Sequence, residues 1–178
     1  MARTKITPIQ ISNEWWEELG RQTLSSGASS LSVASLPQRK YLKIVATIIP
    51  TGGSYDPKVR FNNDSGANYA MAILYNNAGA GAYSNQTSTT FIQVSSTVYT
   101  GGIAIIEASI LNMSGFNKML AGLMSQDGTS AANTQSPILE YANGKWTNGA
   151  IVDRIDIVKS AGTGTLAAGS ELIVLGHD

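Results

Sequence analysis

The chain has no cysteine and a single histidine in its 178 residues. The first absence excludes disulfides, thiolate metal sites and cysteine nucleophiles together, and leaves the redox compartment open. The second confines any histidine-based triad to His177, next to the end of the sequence, where a side chain is expected to be poorly held. Charge is also scarce: charged residues are 13% of the chain, about half the usual share. Twelve basic residues balance 12 acidic ones, so the formal net charge is zero. No overall field draws in nucleic acid or anionic lipid, and neither is an expected partner. A neutral surface also does little to keep copies of a chain apart. No apolar run approaches the roughly 20 residues of a membrane helix, and the basic start around Arg3 and Lys5 lacks the apolar core of a signal peptide. A chain made and folded in soluble form is expected.

What is present is strand-forming sequence punctuated by turns. The central stretch, residues 40–77, opens with Tyr41-Leu42-Lys43-Ile44-Val45-Ala46-Thr47-Ile48-Ile49, a β-branched and aromatic run that favours strand over helix. Pro50-Thr51-Gly52-Gly53 stops it. Strand-like residues 59–62 and 68–75 follow, separated by Asn63-Asp64-Ser65-Gly66, which suits a tight turn with positive φ. Upstream, residues 31–36 alternate with Leu31, Val33 and Ser35 on one face. Downstream, residues 103–112 are apolar on both faces, which asks for burial on both sides. Residues 118–124 return antiparallel to them after Ser114-Gly115-Phe116-Asn117, with a helix over 116–124 as the competing reading. Asn143-Gly144 is a hairpin signal between residues 138–141 and 145–146. Residues 150–158 and 170–176 are the last strands. Two polar stretches, 78–90 and 125–136, read as long loops. Eight to ten strands without a convincing long helix imply an all-β, double-layer antiparallel fold in one domain.

Residues 1–18 form an N-terminal arm distinct from the β domain at 19–178. Ile6, Ile9 and Ile11 are apolar positions in a polar segment, and Ser12 or Asn13 caps a helical turn through Glu14-Trp15-Trp16-Glu17-Glu18-Leu19. Adjacent tryptophans cannot both face one side of a helix. The arm therefore either plugs one end of its own domain or docks on a neighbouring subunit.

Candidate chemistry is thin. Asn62-Asn63-Asp64-Ser65-Gly66 has the oxygen-rich spacing of a calcium loop but lacks its terminal bidentate glutamate, and reads as a turn. Asp153 and Asp156 flank Arg154 on opposite faces of a strand, which suits a solvent-facing charge pattern or a subunit contact better than an acid pair. Gly52-Gly53 and Gly101-Gly102 are not followed by the residues of a phosphate loop. Tyr41, Tyr55, Tyr69, Tyr75 and Tyr83 are candidates for a sugar-binding groove, or strand residues. Arg39, Lys40, Lys43, Lys58 and Arg60 form a basic cluster in sequence that suits an acidic surface on another protein better than nucleic acid. No nucleophile, base, metal cage or phosphate loop is arranged, so neither an enzyme nor a cofactor is expected.

One ordered set of motifs does carry a comparison. Leu19-Gly20-Arg21-Gln22-Thr23-Leu24 comes first, then residues 37–40 leading into Tyr41-Leu42-Lys43-Ile44, then Thr51-Gly52-Gly53. Arg60-Phe61-Asn62-Asn63-Asp64-Ser65-Gly66-Ala67-Asn68-Tyr69 follows, then Arg154-Ile155-Asp156 and a closing strand from Gly169-Ser170-Glu171. This series, from about residue 15 onward, resembles a group of small tailed-phage virion proteins. The resemblance implies a jelly-roll β-sandwich and a structural role. That role is a capsid cement or decoration protein on the virion surface, made in the host cytoplasm, or alternatively a tail or fibre component that binds a host receptor or glycan. A cement protein implies the major capsid protein as partner and a homotrimer, with Ile6, Ile9, Ile11, Trp15, Trp16, Arg39 and Lys40 as contact residues beside the two long loops.

Overall fold

The computed structural model describes residues 15–77, 80–127 and 137–178. Every regular element among them is a β-strand, and the strands pair antiparallel throughout. The first part of the chain forms β1 (Glu17–Thr23), β2 (Ser30–Ala34), β3 (Tyr41–Ile48), the two-residue β4 (Pro50–Thr51) and β5 (Pro57–Phe61). The middle forms β6 (Tyr69–Asn77), β7 (Ala80–Thr89), the short β8 (Ile92–Gln93), β9 (Ala104–Leu111) and β10 (Lys118–Gln126). The last part forms β11 (Ile138–Trp146), β12 (Arg154–Lys159), the short β13 (Thr165–Leu166) and β14 (Glu171–His177).

Eight strands form one large sheet in the order β1-β14-β3-β9-β10-β11-β6-β7. Four form a smaller sheet, β2-β12-β5-β8, and β13 pairs with β4. The strand period of two decides which residues meet between the layers. In β3, Leu42, Ile44, Ala46 and Ile48 are buried, while Tyr41, Lys43, Val45 and Thr47 take the other face. In β9 the buried set is Ala104, Ile106, Ala108 and Ile110. These side chains join Leu31 and Val33 of β2, Val59 and Phe61 of β5, Ile92 of β8 and Ile155 and Ile157 of β12 in a single hydrophobic core. Each fully buried valine, leucine, isoleucine or phenylalanine among them contributes about 1.5–3 kcal/mol, the alanines less. The two faces of the large sheet therefore differ in kind: one is core, the other faces outward.

The turn between β5 and β6 is built as its residue types suggest. Asn62 and Asn63 take positive φ of 52° and 57°. The Asn62 side chain accepts from the Asp153 and Arg154 amides at 3.0 and 3.2 Å and donates to the Ile151 carbonyl at 2.7 Å. Asp64 accepts from the amide of Gly66 at 2.8 Å, from Asn68 Nδ2 at 2.9 Å and from the indole of Trp146 at 2.7 Å. The Tyr69 hydroxyl accepts from the Phe61 amide at 3.1 Å, and the rings of Phe61, Tyr69 and Trp146 pack together with centroids 5.7–6.4 Å apart. The oxygen-rich run is thus a staple between sheets, its carboxylate already occupied by protein donors.

Four local expectations are corrected. Residues 17–19, expected in a helical turn, belong to β1, because pairing with β14 satisfies their backbone groups. Asn143-Gly144 is not a hairpin turn but lies inside β11, which pairs with β10 on one side and β6 on the other. Glycine is required there by close approach: a Cβ at Gly144 would stand 2.4 Å from Ile92 Cγ2. Residues 80–89, read as loop, form β7 at the edge of the large sheet. His177 is held, not loose, in β14 opposite Tyr41.

Candidate interaction surface

The outward face of the large sheet carries more apolar surface than a solvated face needs. The register aligns Glu107, Leu123, Tyr141, Leu74 and Tyr83 as one row crossing β9, β10, β11, β6 and β7. At strand spacing the row spans about 19 Å. Ile105 lies two residues along β9 and Leu139 two residues along β11 on the same face. Tyr83 is 64% exposed, Ile105 55%, Leu74 52% and Tyr141 49%, with Leu123 and Leu139 also open. Contiguous apolar patches of this kind on a folded surface mark contact sites. Glu107, at the β9 end of the row, is paired with Lys43 of β3, so the apolar members from Leu123 to Tyr83 form a stretch free of charged side chains.

The expectation that residues 103–112 are buried on both sides is therefore corrected for the single chain. Ala104, Ile106, Ala108 and Ile110 face the core, whereas Ile105, Glu107 and Ser109 face outward. That two-sided apolarity was the sequence signal for this surface. Its partners Leu74, Leu123, Leu139 and Tyr141 sit on strands far apart in the chain, and only the sheet order brings them into one row.

The expected contact residues divide into two groups. Ile6, Ile9 and Ile11 lie outside the described residues, as does most of the loop at 125–136. Trp15, Trp16, Arg39 and Lys40 gather at one end of β1, β14 and β3. Trp15 is 81% exposed. Trp16 packs its ring 6.0 Å from that of His177. Arg39 donates to Glu17 at 2.6 Å, and the Lys40 ammonium stands 5.1 Å from the Tyr41 ring centre. Arg39 is thus tied down, which leaves the Trp15 and Trp16 rings as the apolar feature of this corner.

The other sequence candidates disperse. The basic cluster is not a patch: Lys43 faces outward on β3, Lys58 is buried and Arg60 donates to the Thr90 carbonyl at 3.0 Å. Of the five tyrosines, Tyr55 and Tyr69 are core residues, so no groove is lined by all five. Burial drives both phenols up from their ordinary values, Tyr69 to about 12. Asp156 is not solvent-facing: it is buried, accepting from Ser32 Oγ at 2.5 Å and from Arg154 Nε at 2.9 Å. No group of three or more His, Cys, Asp or Glu side chains placed to hold a metal occurs among the described residues, and no helix is long and apolar enough to cross a membrane.

No protein-family model matches the chain, and no curated protein or solved structure matches it either.

Proposed function

We propose that the chain is a virion structural protein of a tailed phage, a capsid cement protein of the jelly-roll type that assembles as a trimer on the major capsid lattice. The observation that carries this reading is the apolar row from Leu123 to Tyr83, with Ile105 and Leu139 beside it, on the outward face of the eight-stranded sheet, set in a chain with zero net charge and little charge of any kind. A specific protein interface uses about 800 Å² from each partner, with aromatic and aliphatic anchors at its centre. The row supplies two tyrosines and four aliphatic side chains for such a centre, and the Trp15 and Trp16 corner supplies a second anchor. Cement proteins act by mass action: a protein that binds only the assembled lattice raises the free energy needed to take the lattice apart. No catalytic group is needed for that role.

The alternative, a tail or fibre component binding a host receptor or glycan, draws on the exposed rings of Tyr83 and Tyr141, which could stack on sugar faces. The two readings separate in one experiment. The purified protein is mixed with phage heads lacking it, and the pellet is examined by sedimentation and electron microscopy. Density at regular lattice positions is expected and gives the stoichiometry. Failure to co-sediment, with retention on host cells instead, overturns the cement reading in favour of the fibre one.

A further inference from the structure

A second feature lies at the end of the sandwich where the small sheet stops at β8 and the large sheet runs on through β6 and β7. A cavity of about 220 Å³ opens there, lined by Asp56, Tyr75, Gln93, Ser96, Thr97 and Glu140 among others. Glu140 projects from the inner face of β11 and is only 1% exposed. Its Oε2 accepts from the Ser96 amide at 2.7 Å, but its Oε1, fully buried, accepts nothing from the protein. Asp56 Oδ1 and Gln126 Oε1 are in the same condition. Gln126, 2% exposed, is fixed on the other side of Ser96 by donating to its hydroxyl at 2.8 Å.

Of the three orphaned acceptors, Asp56 Oδ1 and Glu140 Oε1 belong to residues that line the cavity, whereas Gln126 does not line it. What they lack is a cation or a donor, since leaving each one unmatched costs on the order of 1–3 kcal/mol. Two of the three belong to carboxylates. Lys58, also buried, is near enough to interact with both, yet it makes no hydrogen bond to either orphaned carboxyl oxygen. Apart from Ile73, the other lining residues carry hydroxyls or an amide, with no thiol or imidazole, which is the ligand chemistry of hard cations and not of zinc or copper. A cavity of this size has room for water in a coordination shell. An irregular set of carboxylates, hydroxyls and water suits calcium, which accepts six to eight oxygens in flexible geometry, better than magnesium, which demands a near-ideal octahedron.

We propose that this cavity is a calcium site, with the Asp56 and Glu140 carboxylates as charged ligands and lining hydroxyls and water completing the shell. The site joins β11 of the large sheet, residues 94–98 and the approach to β5 of the small sheet. Occupancy therefore clamps the two layers together at their open end. It is independent of the virion reading and would hold for any function of the fold.

The test is calorimetric titration of the intact protein, stripped with chelator, with calcium chloride alone, paired with thermal unfolding. Saturable binding is expected, with Tm raised by roughly 5 °C or more at about a hundredfold excess of calcium over Kd. Glu140→Gln and Asp56→Asn should each weaken binding by at least about tenfold, while Glu107→Gln on the outward face leaves it unchanged. Lys58→Gln removes the competing positive charge and should tighten binding about tenfold. Should the acid variants fail to fold, the titration of the unaltered protein and of Lys58→Gln still decides. Absence of binding at millimolar calcium overturns the proposal. So does binding that Glu140→Gln and Asp56→Asn leave intact, or a magnesium affinity equal to that for calcium.

Discussion

The indole Nε1 of Trp146 donates a 2.7 Å hydrogen bond to Oδ2 of Asp64, fixing the last residue of β11 to the turn between β5 and β6. Bonds from Asn68 and Gly66 converge on the same carboxylate. Burial tends to raise its pKa, but the bonds from Trp146, Asn68 and Gly66, with the charge of Arg60, outweigh burial and hold it below the ordinary carboxylate value. A depressed folded-state pKa means that the stabilisation is present above the unfolded value, near pH 4, and is lost as pH falls through the folded one. Asp64→Ala should lower the free energy of unfolding at pH 7 by about 2–3 kcal/mol. Asp64→Asn should flatten the loss of stability below pH 4 in urea titrations; an unchanged acid slope would show that Asp64 is not a titrating staple.

Gly144 and Ile92 make the opposite kind of contact, one with no spare volume. A methyl group at position 144 would meet three Ile92 side-chain carbons at 2.4–2.7 Å. Replacing a strand glycine by alanine gains about 0.5–1 kcal/mol from backbone entropy, whereas overpacking a core costs about 1–3 kcal/mol. Overpacking wins, so Gly144→Ala is expected to destabilise. Adding Ile92→Ala should recover much of the loss, giving a coupling above about 0.5 kcal/mol in a double-mutant cycle. Additive effects would show that the two residues do not touch.

Tyr69 sets an alkaline limit. Burial raises its phenol to about 12, so the folded state holds the proton more tightly than the unfolded chain. The stabilisation is complete below the unfolded value near 10 and is lost as pH rises towards 12. Tyr69→Phe forfeits the bonds to the Phe61 backbone and should cost about 1–2 kcal/mol at pH 7. The gap between the two proteins should narrow between pH 10 and 12, measured by denaturant titration at each pH. A gap that stays constant would mean that Tyr69 ionises freely in the fold.

Leu74→Lys and Leu123→Lys, made together, place charge in the middle of the outward row. Both positions are open to solvent, so stability should change by no more than about 0.5 kcal/mol for each. Binding to phage heads, followed by co-sedimentation, should fall more than about tenfold. Full binding by a folded double variant would remove the outward face from the proposed interface.

The strand pattern was legible because it is local. Alternation in β2 and β3 reports directly on which side faces the core, and the strand expected at residues 118–124 is β10, not the competing helix. The turn at residues 62–66 followed from asparagine chemistry. What failed was sequence whose meaning depends on partners elsewhere. Asn143-Gly144 has the residues of a turn, but Gly144 answers to Ile92, some 50 residues away in the chain. The run in β7 has the composition of a loop and becomes a strand because β6 offers it a ladder of backbone bonds. The outward row was visible only as an oddity of residues 103–112, since its other members come from β6, β7, β10 and β11. The cavity proposed for calcium has no signature in the sequence, because Asp56, Ser96 and Glu140 share no motif spacing.

The place of β14 has a consequence for how the protein is made. It lies between β1 and β3, paired to both, so the large sheet has an open slot until residues 171–177 have left the ribosome. Before that moment β1 has no neighbour in its sheet, and the long-range pairing that completes the core must wait for synthesis of the whole domain. A chain lacking β14 would leave β1 unpaired in the large sheet and expose the facing edge of β3 as well, two open strand edges at once.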